Sequence, residues 1–298
     1  MTFSFRCTRA YTQRKPSQIE IDSIALLRDV EVLASDSMAG RKTNTAGSQK
    51  ARSYLVRRMQ ENGLLPWNQQ FAFPFTAGKI TGVNLVGHLK GTDPRAGWFV
   101  LTAHYDHLGL EHGKLHPGAD DNASGVAAIL EMCNYFRKNP PKHSMLFVFF
   151  DAEEIGLVGS KEFVKQSPIP LSNIQLNVNL DMVSRNESNE LYLCGSKYNP
   201  LLSEILDTMT TVSKVQLRFG HDSKFQEDWT NSSDHASFHH KGIPFVYFGV
   251  EDHADYHSPR DTYQNIEPAF FAESVRLMIE SVQILDKTFV RKSKGYDK

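Results

Sequence analysis

The chain has 298 residues, 40% of them hydrophobic and 22% charged, with 33 Lys+Arg against 34 Asp+Glu and a formal net charge of −1. This globular composition excludes collagenous, coiled-coil and disordered classes. The balanced charge offers no long-range field for nucleic acid or an anionic membrane surface, and no apolar run approaches the roughly 20 residues of a membrane span.

In chain order, residues 1–17 read as an N-terminal arm with Arg6, Arg9, Arg14 and Lys15 and no acid before Glu20. They lack the apolar core, roughly 7–15 residues long, of a signal peptide, so the expectation is a cytoplasmic protein as encoded, with a periplasmic or secreted one if the N-terminus is incomplete. Ile21, Ile24, Leu27 and Val30 recur at helical spacing, as do Ala51, Tyr54, Leu55 and Met59 ahead of Gly63 as a cap. Two amphipathic helices are predicted there, separated by a polar loop around Gly40, Arg41 and Gly47. Residues 71–75 and 80–89 read as paired strands. Apolar, strand-sized runs follow at 98–103, 145–150, 176–180, 191–194 and 245–248. Helices are predicted over 124–136, 201–212 and 268–285. The alternation predicts an α/β fold, a three-layer α/β/α sandwich around a mixed, largely parallel central sheet. It forms one domain over 18–290, followed by a basic tail over 291–298.

Cys7, Cys133 and Cys194 are widely spaced and form no C-x-x-C pair, which argues against a disulfide framework and a thiolate zinc site. Any metal must therefore be held by histidine and carboxylate. Such residues gather just after the apolar strands, where open α/β sheets collect functional groups. They are His104-Tyr105-Asp106-His107, Asp120-Asp121-Asn122 at a loop-to-helix junction, Asp151-Ala152-Glu153-Glu154, Asp181, and Tyr256-His257 in a late loop. Carboxylates crowded into one pocket cannot all ionise without protons or cations to compensate. Two imidazoles among them suit a borderline cation such as zinc, with ligands enough for two ions that each keep a position open for water or substrate.

Six stretches resemble peptidase family M28, the di-zinc aminopeptidases, in order and spacing. They are His104-Tyr105-Asp106, residues 118–125, residues 153–160, Leu180-Asp181-Met182, Ser233-Asp234-His235-Ala236 and residues 257–262. The loop around Gly40-Arg41 resembles one near the start of many bacterial members. The resemblance implies that His104 and Asp181 hold one Zn2+, that Glu154 and His257 hold a second, and that Asp121 bridges them, with a cis peptide bond after it. Glu153 is then the general base, taking a proton from the metal-activated bridging water and returning it to the leaving amine. Asp106, two residues after His104, is placed to accept that ring's second N–H, and Tyr256 to donate to the tetrahedral oxyanion. The implied activity is hydrolysis of N-terminal residues from peptide substrates. The alternatives are an M28-type carboxypeptidase and a single-zinc glutaminyl-cyclase-like acyltransferase; a non-catalytic binding domain is disfavoured because ligands and base are all retained.

The remaining polar residues have plainer readings. His112 and His116 are expected as exposed loop histidines, and His107 at the mouth of the site or in a structural role rather than on metal. Asp234 and His235 are read as structural or as partners that support site residues, and His239, His240 and His253 as surface or rim. Asp151 is either a strand-end cap or a partner to a site residue, and Ser124 is a helix N-terminal residue, since G-x-S-x-G is absent. Met182, Trp229, Phe238 and Phe248 are candidates for apolar lining or core.

Overall fold

The structure, a computed structural model, describes residues 15–16, 19–206, 211–222 and 227–291. Most of the expected N-terminal arm, and all but the first residue of the expected tail, lie outside the described residues.

The apolar runs assemble into a nine-stranded sheet. Its strands are β1 (Leu65–Pro66), β2 (Ala72–Ala77), β3 (Ile80–Leu89), β4 (Trp98–His104), β5 (Ser144–Phe150), β6 (Ile174–Leu180), β7 (Glu190–Cys194), β8 (Gln216–Phe219) and β9 (Phe245–Gly249). The order across the sheet is β8-β7-β9-β6-β4-β5-β3-β1, with β2 also paired to β3. At the centre β9, β6, β4 and β5 run parallel, and antiparallel β7 and β3 flank them. Parallel neighbours need a crossover, and α3 (Gly125–Lys138) supplies the one from β4 to β5. The other helices are α1 (Ser23–Leu33), α2 (Ala46–Glu61), α4 (Val158–Lys165), α5 (Pro200–Leu206), α6 (His235–His239) and α7 (Pro268–Thr288).

Strand alternation builds the three layers. On β5, Met145, Phe147 and Phe149 join a core with residues of α1, α2, α3, α5 and α7. Leu146, Val148 and Phe150 point the other way and meet Phe163 and Val164 of α4 and Phe238 of α6. Truncating a ring such as Phe147 to alanine in this setting costs about 3–5 kcal/mol. The expected α/β/α sandwich is therefore present, with a mixed sheet whose parallel part is its centre.

Three local readings differ. The helix expected over 201–212 is Pro200–Leu206; residues 207–210 lie outside the described set, and Thr211–Val212 pairs in parallel with Lys15–Pro16. Apolar spacing running from Leu201 through Ile205 to Val212 cannot by itself mark where a helix stops. The loop around Gly40 contains a 3-10 turn, Asp36–Arg41. Gly40 has φ +64°, and a Cβ there would come within 2.4 Å of the His116 carbonyl, so only glycine lets the turn dock. His112 is exposed at a tight turn, whereas His116 lies in a short strand and is buried. Among the described residues no helix is long and apolar enough to cross a membrane.

Candidate metal centre

Adjacent parallel strands bring their carboxyl ends to one line. β4 ends at His104, which pairs with Phe150 at the end of β5; β6 ends at Leu180, and Asp181 follows. The turn after β5 carries Glu153 and Glu154. A late loop delivers His257, whose φ is +49°; Ala152 and Met182, beside Glu153 and Asp181, are also left-handed, at +61° and +55°. Such backbone is costly for non-glycine residues and concentrates where side chains must be aimed.

The structure brings together all five residues expected to ligate metal. His104 Nε2 lies 3.2 Å from Asp181 Oδ1 and 3.3 Å from Asp121 Oδ1. His257 Nε2 lies 3.1 Å from Asp121 Oδ2 and 3.3 Å from Glu154 Oε2. The Asp121 carboxylate therefore faces two different imidazoles through its two oxygens. The adjacent glutamates diverge: a Glu153 oxygen lies within 4.8 Å of donors on His104 and Asp181, and a Glu154 oxygen within the same limit of donors on Asp121 and His107.

Asp121 is held by its backbone. Asp261 accepts the N–H groups of Asp120 and Asp121 at 2.8 and 3.0 Å. Asn122 donates to the Leu180 carbonyl at 2.9 Å and accepts the Gly125 N–H at 2.9 Å, and the Asp121–Asn122 bond is cis. Asp120 points away from the cluster, accepting both the N–H and O–H of Ser184 at 2.7 Å and lying 3.1 Å from His253 Nε2.

Burial disfavours charge on these groups, and their mutual attraction opposes it. For His257, buried in part, Asp121 and Glu154 overcome burial and carry the pKa up to about 10. Burial also opposes charge on His104, yet Asp181, Glu153 and Asp121 hold it well above the imidazole range. Asp121 is held well below the carboxylate range against its burial, by His107, His104 and His257. Glu153 goes the other way: burial pushes it well above that range despite the pull of His104. The chain thus balances its acids with imidazolium protons, the compensation a cation would otherwise supply. Two histidines and three carboxylates with nitrogen and oxygen converging at 3.1–3.3 Å suit zinc.

The geometry corrects one expectation. The His104 Nδ1 partner is the Asp106 backbone carbonyl at 3.2 Å, and the Asp106 carboxylate stays 3.8 Å away. That carboxylate is drawn to the turn after β5, where it accepts the backbone N–H of Glu153 at 3.1 Å and of Glu154 at 3.3 Å. Tyr256 stacks on His257 with ring centroids 3.9 Å apart. It lines a cleft of about 250 Å³ together with Glu153, Met182, Trp229, Tyr247 and Val250. Met182 and Trp229 are thus lining, whereas Phe238 and Phe248 are core.

Sequence reasoning missed several contributors. Arg41, fully buried, donates to the carbonyls of Leu33, Tyr105, Pro117 and Gly118. Asp261 lay within a recognised stretch without a role. His107 is buried with Nδ1 2.6 Å from Glu154 Oε1; only its place three residues after His104 hinted at this. Asp151, at the end of β5, accepts the N–H of Ala152 and the O–H groups of Thr43 and Tyr105. Asp234 and His235 are both fully buried; Asp234 faces Glu153 electrostatically, and burial pushes its pKa up to about 7.

Comparison with known proteins gives a concordant picture. The model of the family described as peptidase family M28 matches residues 84–282. Aminopeptidase YwaD of Bacillus subtilis (strain 168) is 32% identical over 200 residues, 64% of this chain and 41% of that protein. Leupeptin-inactivating enzyme 1 of Streptomyces exfoliatus is 28% identical over 247 residues, 81% of this chain and 51% of that one. The chain spans about half or less of the length of these curated relatives. Among solved structures, the zinc aminopeptidase BSAP of Bacillus subtilis matches with a TM-score of 0.71 at 18% identity, over 94% of this chain and 98% of that one. Glutaminyl cyclase of Porphyromonas gingivalis matches at 0.68 and 18%, over 88% and 98%. At such identities the structural likeness is one of fold.

Proposed function

Because the chain belongs to peptidase family M28, we propose that it is a di-zinc aminopeptidase that removes N-terminal residues from peptides. One observation carries this reading: Asp121 turns Oδ1 to His104 and Oδ2 to His257, as a carboxylate shared between two ions does. His104 and Asp181 would hold one zinc, and Glu154 and His257 the other. When bound, such a pair supplies Lewis acidity and lowers the pKa of water.

The chain's own groups do the rest. Glu153 carries the base: on the cleft wall beside His104 and Asp181, it takes the proton and returns it to the departing amine. Asp106 fixes the turn that aims Glu153 and Glu154, through its bonds to their N–H groups. Tyr256, on the cleft wall beside His257, is the donor to the developing oxyanion. Relatives named as aminopeptidases support the same assignment. A glutaminyl-cyclase activity with one zinc accounts less well for a carboxylate divided between two imidazoles.

The test is zinc content together with cleavage of an amino-acid anilide panel, wild type against Glu153→Ala, with N-acetylated peptides as the control for carboxypeptidase action. Two zincs in both proteins are expected, with kcat lower in the variant by about 100- to 10,000-fold. A zinc-free wild type, a fully active variant, or cleavage confined to blocked peptides overturns the proposal.

A further inference from the structure

The two halves of the site are unequal, and the difference is His107. Its Nδ1 lies 2.6 Å from Glu154 Oε1 and 3.6 Å from Asp121 Oδ2, the two carboxylates that His257 also faces. Zinc bonds of about 2.0–2.1 Å at the tetrahedral angle put neighbouring ligand atoms roughly 3.3–3.4 Å apart. About one oxygen, Asp121 Oδ2, the nitrogens of His107 and His257 stand at 3.6 and 3.1 Å, on either side of that figure, while each faces a different oxygen of Glu154, at 2.6 and 3.3 Å. The shortest is a hydrogen-bond contact that an ion between the two groups would open. On the other side a single imidazole, His104, faces Asp121 and Asp181.

The setting of the His107 ring points the same way. Its side chain is wholly buried, and Nε2 has no hydrogen-bond partner among the described residues, so the ring's polar contacts all lie on the Nδ1 side. The ring is also locked in place: Gly118, at φ +64°, lies so close that a Cβ would fall 2.6 Å from it.

We propose that His107 is a direct Nδ1 ligand of the ion held by His257, Glu154 and Asp121. That half-site then has four protein ligands, two nitrogens and two oxygens, one more than its neighbour. The other has three, His104, Asp181 and Asp121, and keeps the open position that a catalytic ion needs, on the side where Glu153 stands. The consequence is a division of labour: a tightly held ion that neutralises the acids, and a weaker one where water and substrate exchange. The proposal rests on the di-zinc reading above.

Two measurements on the zinc-loaded protein test it. Zinc-edge X-ray absorption counts imidazoles directly: three histidines over two ions give about 1.5 per zinc, against about 1.0 if His107 only hydrogen-bonds Glu154. Stepwise chelation should release one zinc at a chelator level at least 10-fold below that needed for the second. His107→Ala should bring the two steps together, while His112→Ala, at an exposed turn, leaves them apart. The absorption measurement needs no variant, so a poorly folding His107→Ala does not blunt the test. Two bound zincs with about 1.0 imidazole each and a single release step overturn this inference alone. A chain that takes up no zinc overturns the proposed function as well.

Discussion

Arg41 Nε donates to the backbone carbonyl of Tyr105 at 2.8 Å, reaching across 64 positions of chain to the residue between His104 and Asp106. The same guanidinium donates to Leu33 and Pro117 through Nη1 at 2.7 and 2.6 Å, and to Gly118 through Nη2 at 2.8 Å. Burial lowers its pKa to about 10 against the pull of Asp121, Asp261 and Asp106, so it stays cationic at neutral pH. It thereby ties the strand end that carries His104 to the loop that leads to Asp121. Arg41→Met takes the donor from the carbonyls of Leu33, Tyr105 and Pro117, while Gly118 keeps the Ala123 N–H; at about 1–3 kcal/mol for each unpaired group, with partial relaxation, it should lose about 3–5 kcal/mol of stability in urea unfolding. Arg41→Lys, with its charge but without the fork, should fall between. An Arg41→Met midpoint equal to wild type would refute the clamp.

Asp106 acts on the glutamates through their backbone. With one oxygen accepting from Glu153 N–H and the other from Glu154 N–H, its carboxylate fixes the turn from which both side chains project. Asp106→Ala should reduce zinc affinity by about 10- to 100-fold, the usual effect of losing a partner that orients ligands, with a comparable loss in kcat under saturating zinc. Asp106→Asn retains one acceptor and should lose less. Equal zinc titrations for Asp106→Ala and wild type would refute this orienting role.

What the sequence made legible follows a physical pattern. His104, Glu153, Glu154 and Asp181 stand out because each comes within a few residues of the end of an apolar strand, where a charged group has no structural excuse. The three layers were legible for the same reason, since runs such as 145–150 are too apolar to face water on either side. Arg41 was not, because its partners are backbone carbonyls, which every residue type carries. His107 was passed over because a third histidine adds no periodicity; only folding sets its ring against Glu154. The strand β8 was missed because it lies at a sheet edge, where Gln216, Arg218 and Phe219 are exposed and the apolar signal is weak.

Removing metal should weaken the fold as well as the activity. Asp121, Asp181, Glu153 and Glu154 converge in one buried region, and without zinc their charge is offset by the imidazoles of His104 and His257 and by Arg41. A ligand at about 1,000 times its Kd adds roughly 4 kcal/mol, which for a chain of this size is a melting shift of roughly 8 °C. Thermal melts with chelator and with added zinc should differ by that order, and Asp121→Asn should show much less of a difference. A wild-type midpoint indifferent to chelator would mean that zinc does not hold this cluster.

His235 should make the protein acid-sensitive. The ring is fully buried between Phe245 and Tyr247, at centroid distances of 4.8 and 4.5 Å, and its Nε2 lies 2.8 Å from the Trp229 carbonyl, which fixes the proton there. Burial lowers its pKa to about 3. The folded chain therefore resists protonation that the unfolded chain accepts near pH 6.5. The resulting stability is complete above about pH 6.5 and is lost progressively as pH falls toward 3, at up to about 1.4 kcal/mol per unit. Between pH 7 and pH 5 this one group should remove about 2 kcal/mol. His235→Gln can donate to Trp229 but cannot charge. It should be less stable at pH 7 because it forfeits the ring stacking, yet lose about 2 kcal/mol less than wild type on going to pH 5. Urea midpoints of both proteins at the two pH values give the comparison, and parallel losses would show that His235 is not the group that titrates.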